Sequence, residues 1–319
     1  MLTYSIAIRT LGTGGDTYRR QLESITRQSV QPQRVLVYIA EGYEIPYFRV
    51  GREEYVAVPK GMVAQRALSY SEITSDCILM LDDDVELHPD TALRMLNAME
   101  NNNADCVAAD TFANHMMPTR RKILAAAISL VLPSRRQKEA FRIRRCGAFS
   151  YLSNPQNGMV YPSQSAAGPA AMWRKNSFIT IHYADERWLE QNEYAYGDDQ
   201  LCFYKLHVNG GRLFVLFGSG AVHLDSRNSS SAFRRNMARR MYVRTKNTFC
   251  IWYRSIYEPA PSPLTAACFA LRSVWNATIA MASLRPTLIK NYFRGLRDGI
   301  HFVRSEAYRR IPPYILKQK

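Results

Sequence analysis

In ILMLDDDVELHPD, residues 78–90, apolar residues run straight into three consecutive aspartates, Asp82, Asp83 and Asp84. The chain around them carries 42 Lys+Arg against 27 Asp+Glu, so three like charges side by side need a reason. Neighbouring carboxylates repel, and holding them together calls for a cation or a set of donors. Asp82 and Asp84 flank Asp83, and a D-x-D arrangement at a strand end can present two carboxylates to one divalent ion. Hard oxygen ligands with open coordination positions suit Mg²⁺ or Mn²⁺ bridging a diphosphate. A solvated acidic turn ahead of a helix, where the macrodipole favours negative charge, is the competing reading.

The neighbouring segments decide the fold class. Short apolar runs at 4–8, 34–39, 55–58 and 77–81 do not alternate cleanly, as expected of buried parallel strands. Between the first two, Tyr18, Leu22 and Ile25 repeat at helical spacing after Asp16, a candidate N-cap. Pro89 is placed to open a helix carrying Leu93, Leu96 and Met99 on one face. Strands alternating with helices imply an α/β fold on a parallel sheet, with ligands beyond the carboxyl ends of the strands. The aspartates stand at such an end. Residues 105–109 read as a further strand, and 111–166 as an excursion, a helical hairpin with a basic rim around the apolar run 123–133. Strands return at 210–218 and 220–225.

Beyond about residue 226 the pattern turns helical. Phe233, Met237, Met241, Phe249, Trp252 and Ile256 form an apolar stripe, with Arg234, Arg235, Arg239, Arg240, Arg244 and Lys246 around it. The expected division is a domain over 1–225 and a basic helical extension over 226–319. Residues 264–284 approach spanning length, but Arg272 and Asn276 lie near the middle. A central Arg costs roughly 2.5–3.5 kcal/mol on insertion, so a helix packed on protein or lying in the headgroup layer is expected.

A formal charge of +15 over 319 residues points to an anionic partner or surface. No RNP-like aromatic pair, GXXG loop or zinc spacing is present, so no nucleic-acid partner is expected. Six cysteines without a C-x-x-C pair suit a reducing cytosol, and the first residues lack a signal-peptide pattern. A cytoplasmic location is the expectation, at the inner face of the cell membrane.

Two further constellations carry chemistry. Asp198 and Asp199 follow Gly197 and precede the helix-like QLCFYKLHV. They read either as an acidic helix N-terminus or as a general base beside a substrate hydroxyl. His223 closes an apolar strand in GAVHLD, as a hydrogen-bonding group or a ligand.

Taken in this order, LDDDVELHPD, GDDQL and VHL resemble the metal motif, the Glu-Asp-x-x-Leu-type motif and the late histidine of family-two glycosyltransferases with the GT-A fold. KGMVAQRALSY (60–70) resembles that family's segment before the metal strand, and AAGPAAMWRKNSF (166–178) its acceptor-side segment. The resemblance covers residues 4–225. It implies a Rossmann-type, mixed, mostly parallel sheet flanked by helices, with the helical extension behind it. It also implies an inverting, metal-dependent transferase using a nucleoside-diphosphate sugar and a glycan or lipid-linked glycan acceptor, with an anionic membrane surface as a further partner. Mn²⁺ or Mg²⁺ would sit on Asp82 and Asp84, with His223 completing the site. Thr10, Glu41, Arg66, Asp82 and Asp83 would bind the donor, and Trp173 and Arg174 the acceptor. Asp199 would be the base, with Asp198 beside it. The sequence departs from the family at Arg9-Thr10, where Pro precedes Thr or Val, at Ala40-Glu41, where an acidic pair is usual, and at Gln65-Arg66-Ala67. A nucleotidyltransferase shares the sheet and the acidic site, but LGTGGDTYRR (11–20) only faintly echoes its phosphate loop. A basic nucleic-acid-binding protein is the other alternative.

Overall fold

A computed structural model describes residues 2–111, 137–191, 194–224 and 236–316. The apolar run 123–133 and the residues Phe233, Arg234 and Arg235 lie outside the described residues.

The apolar runs become strands β1 (Tyr4–Thr10), β2 (Val35–Ala40), β3 (Glu53–Val58) and β4 (Cys77–Asp82). Helix α1 (Gly15–Thr26) joins the first two, and a short β5 (Val85–Leu87) and α2 (Thr91–Asn101) follow the aspartates. Helix α2 begins after Asp90, two residues later than Pro89 suggests. Then come β6 (Cys106–Ala109), β7 (Phe141–Ile143), β8 (Phe149–Tyr151), β9 (Val160–Pro162) and β10 (Ala170–Arg174). Helix α3 (Lys175–Thr180), a 3-10 helix (Tyr183–Glu190) and α4 (Asp198–Val208) precede β11 (Leu213–Leu216) and β12 (Ala221–His223).

Eight strands form one sheet in the order β3-β2-β1-β4-β10-β6-β11-β9. Strands β3, β2, β1 and β4 run parallel, β6 and β11 run parallel, and β10 and β9 run against their neighbours. This is the mixed, mostly parallel sheet the sequence implies. Residues alternate across β4: Cys77, Leu79 and Leu81 pack under α1 and α2, while Ile78 and Met80 face α4 and the later helices. The described part of the expected excursion is not a helical hairpin. Strands β7 and β8 pair antiparallel with the rings of Phe141 and Tyr151 5.3 Å apart, and β9 returns to the sheet edge.

The helical extension is α5 (Met237–Trp252), a π-helical turn (Tyr253–Tyr257), α6 (Pro263–Ala282), α7 (Pro286–Arg304) and α8 (Glu306–Arg309). Cys250, Ile251, Val303, Tyr308 and Tyr314 belong to the same hydrophobic cluster as Ile78 and Met80, so the extension is built into the core. Helix α5 buries Val243, Thr245, Asn247, Cys250, Ile251 and Trp252; of the expected stripe, Trp252 is buried, Met241 and Phe249 pack against hydrophobic clusters, and Met237 is half exposed. A helix wedged between sheet domain and α7 has more than one inward face. At Gly295 of α7 a Cβ would stand 2.5 Å from the Tyr242 carbonyl, so this close crossing depends on glycine. Among the described residues no helix is long and apolar enough to cross a membrane.

A buried charge hub fastens the extension to the domain. The fully buried Glu186 carboxylate accepts from Arg254 Nε (2.7 Å), Arg254 Nη2 (2.8 Å), Lys205 Nζ (2.8 Å) and Trp188 Nε1 (2.7 Å). Burial pushes this carboxyl up, but Arg254 and Lys205 outweigh it and hold it below the usual range. A depressed carboxyl contributes stability above its unfolded value and loses it as pH falls. The variant Glu186→Gln leaves buried Arg254 without its counter-charge and Lys205 with only Asp185 at 3.8 Å, and should cost roughly 3–5 kcal/mol, read by urea unfolding at neutral pH.

Candidate active site

The carboxyl edge of the sheet gathers the charged residues that the sequence singles out. Strand β1 ends in Arg9 and Thr10, β4 ends in Asp82, and the turn to β5 carries Asp83 and Asp84. Strand β12 pairs antiparallel with β5, His223 opposite Val85, which brings His223 Nε2 to 3.2 Å from Asp84 Oδ1. Helix α4 points its N-terminus at the same edge. Gly197 there has φ +89°, and Asp198 and Asp199 form the first helical turn. Tyr183 Oη donates to the Asp198 carbonyl (2.9 Å) and Tyr314 Oη to the Leu201 carbonyl (2.6 Å). Asn209, just past the other end of α4, bonds the Tyr314 carbonyl and the Leu316 N–H.

Two arginines link the carboxylates into a ladder. Arg9 Nε donates to Asp82 Oδ1 at 2.9 Å, and Arg9 Nη1 stands 3.8 Å from Asp198 Oδ2. Arg66 Nη1 is 3.0 Å from Asp198 Oδ2, and Arg66 Nη2 donates to Asp199 Oδ1 at 2.7 Å. The Gly168 N–H completes the series on Asp199 Oδ2 at 3.1 Å. A Cβ at Gly168 would fall 1.8 Å from Asp199 Oδ1, so the carboxylate reaches this backbone only because no side chain is there. Asp198 is buried and Asp199 is half-buried, part of its carboxylate reaching solvent.

Burial pushes the Asp198 carboxyl up to about 6, helped by Asp199 and opposed by Arg66 and Arg9. Burial also raises Asp83 to about 6, against a 2.5 Å hydrogen bond donated by Thr10 Oγ1. Burial pulls down on the Arg66 guanidinium, yet Asp198 and Asp199 hold it well above the ordinary value.

The expected site residues divide accordingly. Asp84 and His223 come together; Asp82 turns to Arg9 instead, and among the described residues no three His, Cys, Asp or Glu side chains form a metal-holding group. Asp84 and His223 still fit a divalent ion: two ligand atoms 3.2 Å apart match neighbouring corners of an octahedron with bonds near 2.1 Å. Thr10 holds Asp83, exposed Glu41 follows β2 at the same edge, and Arg66 is occupied by Asp198 and Asp199 rather than facing an open phosphate site. Trp173 and Arg174 are corrected. Because β10 runs antiparallel to β4, it starts at the active edge and carries these two residues away from it. Trp173 is buried, stacked on Phe203 at 5.2 Å, and Arg174 lies opposite Cys77, donating to the Ala104 carbonyl. The part of that segment at the site is Gly168-Pro169, where the Pro169 carbonyl accepts from the Asp82 N–H.

Sequence reasoning missed Arg9 as a site residue, together with Gln21, whose Nε2 donates to the Asp82 carbonyl, and Gln65, which donates to the Thr10 carbonyl. For Arg9 the signal was there: an arginine in an otherwise apolar strand whose end faces an acidic triplet.

Residues 36–154 match the family model described as glycosyl transferase family 2. That segment, 119 of the 319 residues, is similar to the family. The matched segment contains Glu41, Arg66 and the three aspartates, and stops before Gly168, Asp198, Asp199 and His223. Similarity to a glycosyltransferase family over this segment favours sugar transfer over the nucleotidyl-transfer and nucleic-acid readings. A comparison with curated proteins gave no match. Among solved structures, the crystal structure of GalNAc-T7 with UDP, GalNAc and Mn²⁺ is similar at a TM-score of 0.48 and 12% identity, over 86% of this chain and 55% of that one. The chain thus spans about half the length of that protein.

The raised Asp198 carboxyl has a stability consequence. The folded protein keeps this proton to about pH 6, whereas an unfolded Asp releases it near pH 3.9. Stability from this group is therefore present at low pH and lost as pH rises through that window. The melting temperature of the protein without metal or nucleotide should fall from about pH 4 to about pH 6.5, and Asp198→Asn should flatten the fall.

Proposed function

We propose that the chain is an inverting, divalent-metal-dependent glycosyltransferase. It moves a sugar from a nucleoside-diphosphate sugar to a hydroxyl of a glycan or lipid-linked glycan, at the cytoplasmic side of an anionic membrane. The observation that carries the proposal is Asp199: a half-buried carboxylate fixed by Arg66 and the Gly168 N–H, at the sheet edge that also holds the Asp84–His223 pair.

Asp199 takes the proton from the acceptor hydroxyl. The freed oxygen forms its bond to the anomeric carbon on the face opposite the diphosphate, the bond to the diphosphate breaks, and the configuration inverts. Each carboxylate oxygen has two lone pairs, so the contacts to Arg66 and Gly168 orient Asp199 without using up its capacity to accept. Asp198 keeps Arg66 and Arg9 in place from below. Asp84 and His223 would hold the divalent ion, which supplies charge compensation to the departing diphosphate. Such an ion commonly takes its remaining ligands from substrate phosphates and water. The basic, partly apolar surface of α5 to α7 supports the membrane side of the proposal.

A screen of nucleoside-diphosphate sugars with and without Mn²⁺, read by thermal stabilisation and by transfer, tests this reading. Asp84→Asn should keep the fold and lose the Mn²⁺-dependent gain in nucleoside-diphosphate affinity; unchanged affinity with and without Mn²⁺ in that variant would remove Asp84 from the metal site. Asp199→Asn should lower transfer by roughly 10²–10⁴-fold while donor binding persists. An active Asp199→Asn beside an inactive Asp198→Asn would move the base to Asp198.

A further inference from the structure

Away from the sheet edge, the helices of the extension enclose a groove of about 120 Å³, roughly tenfold the 10–15 Å³ that one water needs. Its polar lining includes Arg244, Arg272 and Asn276, and its apolar lining Phe269, Ile279 and Tyr292. Arg272 sits in the middle of α6. Its Nη1 donates to the Cys146 carbonyl at 2.8 Å, while Nε is shielded from solvent and has no hydrogen-bond partner. Burial lowers its proton affinity below the ordinary arginine value, and Arg244 nearby adds a second positive charge. Arg244 lies 5.7 Å over the Tyr196 ring. Among the described residues neither arginine is in an ion pair with an acidic side chain. Arg244 stands exposed at the rim, but the part-buried Arg272, with its shielded Nε unbonded, is costly without a counter-charge, and an anion in the groove removes that cost.

The surface beside the groove says what kind of anion. Ile279 lines the groove and is itself 37% exposed. From there an apolar row continues along the outer face of α6 through Leu264, Leu271, Val274 and Trp275, with Leu271 and Val274 about two-thirds exposed. Arg285, Lys290 and Arg294 stand exposed on and before α7. A phosphate-sized charged pocket opening onto an apolar helix face, with cations alongside, matches an amphiphile that has a phosphate head and an acyl tail.

We infer that the α5–α6–α7 groove is a binding site for the phosphate headgroup of an anionic phospholipid, with Arg244 and Arg272 on the phosphate and the outer face of α6 in the acyl layer. This names the contact within the membrane-surface reading above and rests on it. Gly147, whose absent side chain leaves Arg272 Nη1 and Trp252 their space, lets the β7–β8 turn pack close enough for its Cys146 carbonyl to hold Arg272.

The test uses the full chain in two arms. In flotation, binding to phosphatidylcholine vesicles containing phosphatidylglycerol should exceed binding to phosphatidylcholine alone. Arg244→Gln and Arg272→Met should each weaken it by roughly fivefold, and Leu271→Ser should weaken it at unchanged salt dependence. In a thermal-shift arm, monomeric dihexanoyl-phosphatidylglycerol should stabilise the wild type more than inorganic phosphate does, and Arg244→Gln, an exposed position outside the packing, should lose that increment. Anionic vesicle binding equal in wild type and both arginine variants would leave a membrane protein without this site. Stabilisation by dihexanoyl-phosphatidylglycerol without vesicle binding would keep the site and sink the membrane reading. Equal stabilisation by inorganic phosphate would make the groove a free-anion site and overturn the lipid assignment.

Discussion

Several carboxylates share one sheet edge, and the fold there is organised by the need to neutralise them. Arg9 and Arg66 do most of this, forming the ladder Asp82, Arg9, Asp198, Arg66, Asp199 across elements far apart in sequence. Because the ladder ties the end of β1, the end of β4, the segment before residue 70 and the start of α4, those elements cannot shift independently. Removing one rung leaves a buried charge facing its former partner, which costs more than the pair contributes to stability. Asp83 is handled differently, through a hydroxyl donor and a raised proton affinity. Asp84 faces the imidazole of His223, the one arrangement here suited to exchange its partner for a cation.

A second neutralised cluster, around Glu186, performs the equivalent task on the other side of α4. Lys205 lies on α4 itself, Glu186 on the preceding 3-10 helix and Arg254 on the extension. The helix bearing the acid pair is thus held at its first turn by the ladder and along its length by the hub. The extension, read from the sequence as an appendage, contributes part of the wall behind the active edge: Ile251 meets the Gly197 turn, and Asn247 reaches the Leu189 and Tyr196 carbonyls.

The parallel strands were legible because buried strands are apolar throughout, and the triplet and the Gly-Asp-Asp turn were legible because charge breaks such runs abruptly. Strand direction was not. The letters AAMWR announce a buried strand whichever way it runs, and only its pairing with β4 sends Trp173 and Arg174 to the far edge. The occupation of Arg66 was equally hidden: a basic residue before the metal strand suits a phosphate or a carboxylate, and its partners lie more than 130 positions away. On α5 the stripe picked out Met241, Phe249 and Trp252, which do pack inward, but not Asn247, which is buried for its hydrogen bonds rather than its hydrophobicity.

The bond from Tyr314 Oη to the Leu201 carbonyl spans 113 positions of chain. A ribosome must therefore continue far past the acid pair before the helix carrying it can be closed from outside. Until Tyr314 and Leu316 emerge, Asp198 and Asp199 stand on a helix lacking these outer contacts at Leu201 and Asn209. A chain made as far as residue 223 already contains every residue of the reactive edge, yet not the clasp that steadies it. The order of synthesis thus delays a fully braced helix at this edge until translation has passed residue 316.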